Sequence, residues 1–108
     1  MNRGEIRWYT FRPPDKRRPV LILTRDSILE VLTGITVAPI TSTIRSIATE
    51  VMLTPAHDGV LMESVINVDN LQTVPKNKIG GLITILSPEK MDAVERAICF
   101  ALGMDHLL

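Results

Sequence analysis

The chain has 108 residues, of which 45% are hydrophobic and 22% charged, and its formal net charge is zero. This size and composition fit one domain with a hydrophobic core, and they exclude a disordered tail and a membrane-spanning run of about 18 apolar residues. No secretory signal opens the sequence, and the single cysteine excludes an internal disulfide framework. We therefore expect a cytoplasmic protein without membrane attachment.

Zero net charge conceals an uneven distribution of charge along the chain. Residues 1–25 hold seven basic side chains against two acidic ones, a net charge of +5, and residues 26–108 carry −5. A basic segment of this kind can be the electrostatic footprint of a nucleic-acid binding site, although it can equally be a solvated surface. Net charge alone therefore does not exclude a polyanionic partner.

Short strands dominate the predicted elements. Runs of β-branched, aromatic and apolar residues predict strands at 5–11, 19–24, 35–41, 48–53, 64–69, 72–74 and 82–86. The run at 19–24 lies between charged residues, which indicates a strand buried on both faces. Pro39 has no N–H to donate and indicates an edge position or a bulge in its strand.

Turn and capping residues separate these strands. Residues 12–16 contain two prolines and predict a short loop, as do residues 55–59 and 75–78. Asp26 and the serine after it predict a cap for one or two helical turns at 28–32.

The C-terminal region predicts one amphipathic helix. Ser87 is placed as its N-cap, Pro88 in its first turn and Gly103 at its end, and apolar residues between them recur with helical spacing. Together these elements predict a mainly β protein with α structure (α+β). The expected fold is a small barrel or tightly curled sheet of five to seven strands with a C-terminal helix, in one domain spanning residues 1–108.

The sequence lacks the motifs of metal-dependent and nucleotide-binding enzymes. It contains no CxxC, HExxH, GxxxxGK[ST] or GxGxxG pattern. Its two histidines, His57 and His106, lie in a predicted turn and near the C-terminus, so no set of metal ligands converges. We therefore expect neither a metal ion nor a cofactor.

Two strand ends hold the residues best suited to chemistry. Arg18 begins a buried strand, and Thr41 ends a neighbouring one. On one rim of a small barrel, a guanidinium and a hydroxyl can bind the oxygens of a phosphodiester and stabilise charge that develops on them. Arg and Thr are also common structural residues at strand ends, so spacing alone leaves both interpretations open.

Seven segments, in order along the chain, carry a likeness to a known family. They are Arg3-Gly4-Glu5-Ile6-x-Trp8, Arg18-Pro19-Val20-Leu21-Ile22-Leu23, Val37-Ala38-Pro39-Ile40-Thr41-Ser42, Ala48-Thr49-Glu50-Val51, Ser64-Val65-Ile66-x-x-Asp69, Gln72-Thr73-Val74 and Leu86-Ser87-Pro88-Glu89. Their order and spacing resemble the MazF/PemK/Kid toxins of bacterial toxin–antitoxin systems over nearly the whole chain.

This resemblance implies an SH3-like β-barrel that forms a homodimer and cleaves single-stranded RNA at specific sequences without a metal ion. The ribose 2′-hydroxyl attacks the adjacent phosphate, which leaves a 2′,3′-cyclic phosphate and a 5′-hydroxyl. A cognate antitoxin inhibits such toxins with an extended acidic C-terminal segment. By position, the catalytic residues of the family match Arg18 and Thr41. Nearby basic and hydroxyl side chains are the candidates for RNA contact: Arg12, Lys16, Arg17, Ser42, Thr43 and Arg45.

Two segments depart from the family pattern. Many members carry a longer loop with Gly-Ser-Glu between the first two strands, whereas residues 12–16 are short and hold two prolines. Many members also read Gln-x-Arg where this chain has Asn70-Leu71-Gln72. Base preference, regulation and the contact made by that arginine are therefore not carried over.

Two other functions remain as alternatives. The first is a gyrase poison of the CcdB type, but those proteins depend on a C-terminal Trp-Gly-Ile that this chain lacks. The second is a non-catalytic nucleic-acid or peptide-binding barrel, in which Trp8 and Phe11 could stack on bases. Aromatic residues on strands are more often part of the core.

Overall fold

Antiparallel strands and two helices form the fold in the computed structural model, which describes residues 1–12 and 16–108. The strands of these described residues are β1 (Glu5–Thr10), β2 (Arg17–Ile22), β3 (Gly34–Thr41), β4 (Glu50–Leu53), β5 (Ser64–Asn67), β6 (Gln72–Pro75) and β7 (Ile79–Ile85). The helices are α1 (Pro55–Asp58) and α2 (Pro88–Ala101). The prediction of a mainly β fold with a C-terminal helix is confirmed.

The strands pair in the order β4-β5-β3-β2-β1-β7, and β6 pairs separately with β3. Among the described residues β4 and β7 do not pair with each other, so the barrel-like sheet is open. On one side β3 pairs with β2. On its other side it pairs with β6 through residues 34–37 and with β5 through residues 40–41.

Pro39 lies at the point where β3 changes partner from β6 to β5. It is opposite Val20 of β2, and β3 has a neighbour on each side. β3 as a whole is therefore not an edge strand, although at Pro39 itself it is paired only with β2. The missing N–H is tolerated because neither β6 nor β5 is in register with Pro39 on the far side.

Alternating residues of β2 and β3 contribute to two separate hydrophobic clusters. Leu21 and Ile40 pack in the cluster that α2 covers, whereas Val20 and Val37 pack in a second cluster on the other face of the sheet. Burying an aliphatic side chain of this size contributes about 1.5–3 kcal/mol. These two strands are consequently held from both faces, as predicted for β2.

Helix α2 forms where the capping residues predict it. The Ser87 hydroxyl accepts a hydrogen bond from the backbone N–H of Lys90 at 3.1 Å, and Pro88 opens the first turn. Met91, Val94 and Ala97 are its buried residues, and they pack on the sheet. The helix ends at Ala101, just before Gly103 with its left-handed φ of 72°.

Several predicted elements are shorter or placed differently, and residues 55–58, predicted as part of a loop, form helix α1. The helical turn begins earlier than predicted, as a 3₁₀ turn at Asp26–Ile28, and the N–H groups of Val31 and Leu32 still donate to the Ile28 carbonyl. The Asp26 carboxylate accepts from the backbone N–H of Arg3 (2.6 Å) and does not cap the turn. The fifth strand ends at Asn67, whose side chain accepts from the Asp69 N–H (3.0 Å) and begins a 3₁₀ turn. The last strand spans Ile79–Ile85 and so begins three residues before the predicted start at residue 82.

Candidate functional site

The pairing of β2 with β3 brings Arg18 and Thr41 together. The pairing of the two strands ends with Val20 opposite Pro39, and Arg18 and Thr41 each lie two residues beyond this pair, at the same end of the sheet. The expectation that both strand ends share one rim therefore agrees with the geometry.

Two cavities meet at this pair, and both are lined by Arg18, Ile40 and Thr41. The polar cavity has a volume of about 310 Å³, and its other lining residues are Phe11, Pro39, Thr43, Arg45, Glu50, Asn67, Asn70 and Gln72. The apolar cavity has a volume of about 250 Å³, and its other lining residues are Trp8, Arg17, Pro19, Ser42, Val60, Leu61, Met62, Ser64 and Ile83. Arg18 and Thr41 thus form part of a wall between two spaces of different chemistry.

Most of the predicted RNA-contacting residues line one of the two cavities. Thr43 and Arg45 line the polar cavity, and Arg17 and Ser42 line the apolar cavity. Arg12 and Lys16 are exposed and line neither. They flank residues 13–15, so most of the short loop predicted at 12–16 lies outside the described residues.

Charge and hydrogen bonding leave the pair able to bind an anion. Arg18 is exposed, and within the described residues no carboxylate forms an ion pair with it. Thr41 Oγ1 accepts from the Thr43 backbone N–H at 3.2 Å. Because a hydroxyl also carries one donor, this bond leaves its hydrogen available for a ligand.

The aromatic residues on the rim are half-buried. The Arg17 guanidinium lies 4.1 Å from the ring centroid of Trp8, within the range of a cation–π contact. Phe11 packs edge-on against Tyr9, with ring centroids 4.8 Å apart, and also lines the polar cavity. Trp8 and Phe11 therefore combine partial burial with access to the two cavities.

The polar cavity also contains residues that the sequence-based predictions did not assign to the site. Asn70 and Gln72 line it from the segment that departs from the family pattern, and Asn67 and Glu50 lie opposite each other on β5 and β4. Three side-chain amides can donate to and accept from a nucleobase edge. In the sequence, the departure from the Gln-x-Arg pattern of the family could have pointed to Asn70 and Gln72.

Hydrogen bonds from the residues next to β4 hold the backbone segment that carries these side-chain amides. Thr49 is buried, and its hydroxyl donates to the Asp69 carboxylate at 2.6 Å. The Val68 N–H donates to the Thr49 carbonyl at 3.0 Å. The 3₁₀ turn Val68–Asn70 is therefore tied to the chain that precedes β4, and both lead into the polar cavity.

The arrangement suits an anionic, partly aromatic ligand. A fork of guanidinium donors and a hydroxyl lie at the wall, amides lie on one side and apolar side chains on the other. Within residues 1–12 and 16–108, no group of three or more His, Cys, Asp or Glu side chains is placed to hold a metal ion. No helix of this part of the chain has the length and hydropathy needed to span a membrane.

The chain is similar to known proteins both in sequence and in structure. Residues 2–102 match the family described as PemK-like, MazF-like toxin of type II toxin–antitoxin system. Endoribonuclease MazF3 of Mycobacterium tuberculosis is 45% identical over 94 residues, which is 87% of this chain and 90% of that protein. The structure of the M. tuberculosis toxin MazF-mt6 aligns with a TM-score of 0.84 at 42% identity, covering 94% of this chain and 98% of that one. A mycobacterial endoribonuclease in complex with its cognate antitoxin aligns with the same TM-score at 25% identity, covering 96% of both chains.

Proposed function

The chain belongs to the family of PemK-like, MazF-like toxins of type II toxin–antitoxin systems, and we propose that it is an endoribonuclease that cleaves single-stranded RNA at specific sequences. The observation that supports this proposal is that Arg18 and Thr41 both line each of the two adjoining cavities. The likeness to the MazF-type endoribonucleases favours this function over a gyrase poison or a non-catalytic barrel.

In the proposed reaction the ribose 2′-oxygen attacks the adjacent phosphorus while the bond from phosphorus to the 5′-oxygen breaks. The 2′-hydroxyl loses its proton to a base, and the departing 5′-oxygen gains one, so the products are a 2′,3′-cyclic phosphate and a 5′-hydroxyl. Arg18 binds the non-bridging oxygens through its fork of donors and stabilises the charge of the pentavalent phosphate. We also propose that Arg18 helps to protonate the departing 5′-oxygen.

Thr41 supplies the second contact to the phosphate. Its hydroxyl hydrogen donates to a phosphate oxygen or orders the 2′-hydroxyl, while its oxygen keeps the bond from the Thr43 N–H. Catalysis by this pair depends on positioning and charge stabilisation, which need neither a metal ion nor a histidine pair.

The two cavities give the neighbouring nucleotides different surroundings. With the scissile phosphate at the shared wall, one base enters the polar cavity, where Asn67, Asn70 and Gln72 can read its edge. The other base lies in the apolar cavity beside Trp8 and Met62. Such a division accounts for sequence specificity and for recognition of unpaired bases.

We propose two protein partners as well. An antitoxin with an acidic C-terminal segment competes with RNA for Arg18 and the other basic residues, because carboxylates and phosphates use the same donors. A second copy of the chain forms a homodimer. Exposed apolar residues such as Ile85 and Phe100 give it a surface, and a chain this small gains from burying more area.

Cleavage of a single-stranded RNA pool in EDTA tests the proposed reaction. We expect cleavage to persist without divalent metal ions, and the new 5′ ends to accept a phosphate from polynucleotide kinase without prior dephosphorylation. A substrate with one 2′-deoxyribose at the mapped site should remain uncut there. Products with 5′-phosphates, loss of cleavage in EDTA, or cleavage of the deoxy substrate would contradict the mechanism.

A further inference from the structure

Glu50 is a carboxylate in a cavity that we propose receives part of a phosphodiester. It begins β4, is half-buried and lines the polar cavity together with Arg18 and Thr41. A negative charge near the phosphate opposes RNA binding, because like charges repel more strongly in a partly desolvated site than in bulk water. RNA binding by itself therefore gives no reason for an acidic residue here.

The hydrogen bonds of Glu50 give a structural reason for an acidic residue at this position. Its Oε1 atom accepts from the backbone N–H groups of Arg45 and Ser46, each at 2.9 Å. Bonds to an ionised acceptor are stronger than those between neutral groups. Ser46 has a φ of 58°, a left-handed conformation that is uncommon outside glycine. Two consecutive N–H groups directed at one carboxylate oxygen help to hold this conformation.

The segment held in this way, the 42–48 loop, has few other anchors. Every residue from 42 to 48 is exposed, and none of them belongs to a strand. The Thr43 N–H donates to Thr41 Oγ1 at one end of the loop, and the Glu50 N–H donates to the Ile47 carbonyl (3.0 Å) at the other. A loop with so little buried surface depends on individual hydrogen bonds for its conformation.

We propose that Glu50 is a positioning residue that fixes the 42–48 loop and thereby keeps Thr43 and Arg45 in the polar cavity. This inference rests on the proposed endoribonuclease function, and it assigns Glu50 an action through the loop. The competing role is direct: the carboxylate would take the proton of the 2′-hydroxyl. A direct base requires the ionised carboxylate, whereas a positioning residue requires only an acceptor oxygen at the same place.

Glu50→Gln and Glu50→Ala separate these two roles, because glutamine keeps the acceptor oxygen and loses the charge. We expect Glu50→Ala to lower kcat at least about tenfold, since a displaced loop also loses the bond from the Thr43 N–H that orients the Thr41 hydroxyl. Glu50→Gln should restore kcat to within about threefold of the wild-type value, because its side chain can still accept both N–H bonds. Its KM should not exceed the wild-type KM, and its kcat should keep the wild-type pH profile.

Glu30→Ala is the matched control, since it removes an exposed carboxylate outside both cavities. Equal loss of kcat in both Glu50 variants, or a changed pH profile in Glu50→Gln, would overturn the positioning role in favour of the direct one. Wild-type kcat in Glu50→Ala would overturn both.

Hydrogen exchange separates failure of this inference from failure of the proposed function. In Glu50→Ala, the amides of Arg45 and Ser46 should exchange at least about tenfold faster than in wild type, and in Glu50→Gln they should not. This readout requires no RNA. It therefore supports or overturns the role of Glu50 in ordering the loop even if the wild-type protein cleaves no RNA.

Discussion

The candidate site has two halves that are held in different ways. Arg18 and Thr41, the strand-borne pair, each lie within two residues of a core side chain that is at most 3% exposed, Val20 and Ile40. The 42–48 loop is exposed throughout and is held by single hydrogen bonds. Packing positions a side chain more firmly than an exposed loop does. We therefore expect the groups that act on the scissile phosphate to be those on the strands, and the groups that only adjust RNA binding to be those on the loop.

Replacing Arg18 tests the strand-borne pair most severely. Arg18→Ala should lower the cleavage rate about a thousandfold or more, because it removes the charged donors that stabilise the transition state. Arg18→Lys keeps the charge but lacks the fork, and we expect it to recover less than about a tenth of the activity. Rates measured on a defined RNA oligonucleotide check both values.

Folding must be separated from chemistry in these variants. Arg18 is exposed, so the melting temperature of Arg18→Ala should stay within about 3 °C of the wild-type value. If Arg18→Ala instead cleaves within about tenfold of the wild-type rate, the assignment of Arg18 as a catalytic residue is wrong.

Thr41 should give the next largest effect. Thr41→Val removes the hydroxyl and keeps the β-branched shape that suits the end of β3, so cleavage should fall roughly 10- to 100-fold with little change in stability. Thr41→Ser restores a hydroxyl and should recover most of the rate. If serine recovers nothing beyond valine, the hydroxyl makes no contact with the reacting phosphate.

The strand-borne pair could be predicted from sequence because local patterns determine it. An apolar run after Arg18 and the β-branched run that ends at Thr41 indicate strands, and neighbouring strands of a small sheet share a rim. Pro39 shows the limit of this reasoning. The rule that proline avoids sheet interiors depends on the residue type alone. The exchange of β6 for β5 as the partner of β3 depends on residues that are distant in sequence, so the rule cannot predict it.

The loop-borne half of the site, which is the 42–48 loop with the Glu50 side chain that holds it, could not be predicted for a related reason. Glu50 enters the site through bonds to residues four and five positions earlier, which require the left-handed φ of Ser46. Nothing in a serine residue predicts that conformation. Asn67 was read as part of a longer strand, whereas its side chain begins the turn that brings Asn70 to the polar cavity. These contacts arise from tertiary structure.

Arg45 tests the loop-borne half with a smaller expected effect. Arg45→Ala should raise KM by at most about fivefold and leave kcat nearly unchanged, because a contact equally strong in ground and transition states affects binding alone. The slope of log affinity against log salt concentration should fall by about 0.7, the loss of one phosphate contact to single-stranded RNA.

The exposed Arg96 on α2 lies outside both cavities and provides the control. Arg96→Ala should leave KM and the salt slope of the wild-type protein intact. A loss of kcat in Arg45→Ala as large as that in Thr41→Val would break the distinction between the two halves, because a loop residue would then act in the chemical step.

The smallest effect concerns the sheet beneath the strand-borne pair. Burial of Glu5 on β1 acts to raise the pKa of its carboxyl group, but three attractions outweigh it: the hydrogen bond and charge of Arg7 (2.6 Å), a hydrogen bond from Asn2, and the charge of the amino terminus. The pKa of Glu5 is therefore lowered from the ordinary value of 4.5. A lowered pKa in the folded state means that the ionised group stabilises the fold above the unfolded pKa, and that this stabilisation is lost as the pH falls through the folded pKa.

Acid titration of the Glu5→Gln variant tests how much the ion pair between Glu5 and Arg7 contributes to stability. From about pH 4.5 downward, the free energy of unfolding of the wild-type protein should fall more than that of Glu5→Gln, by roughly 1 kcal/mol or less. Glu63→Gln, which removes an exposed carboxylate, should follow the wild-type curve. Parallel curves for wild type and Glu5→Gln would show that the pair adds no pH-dependent stability to β1.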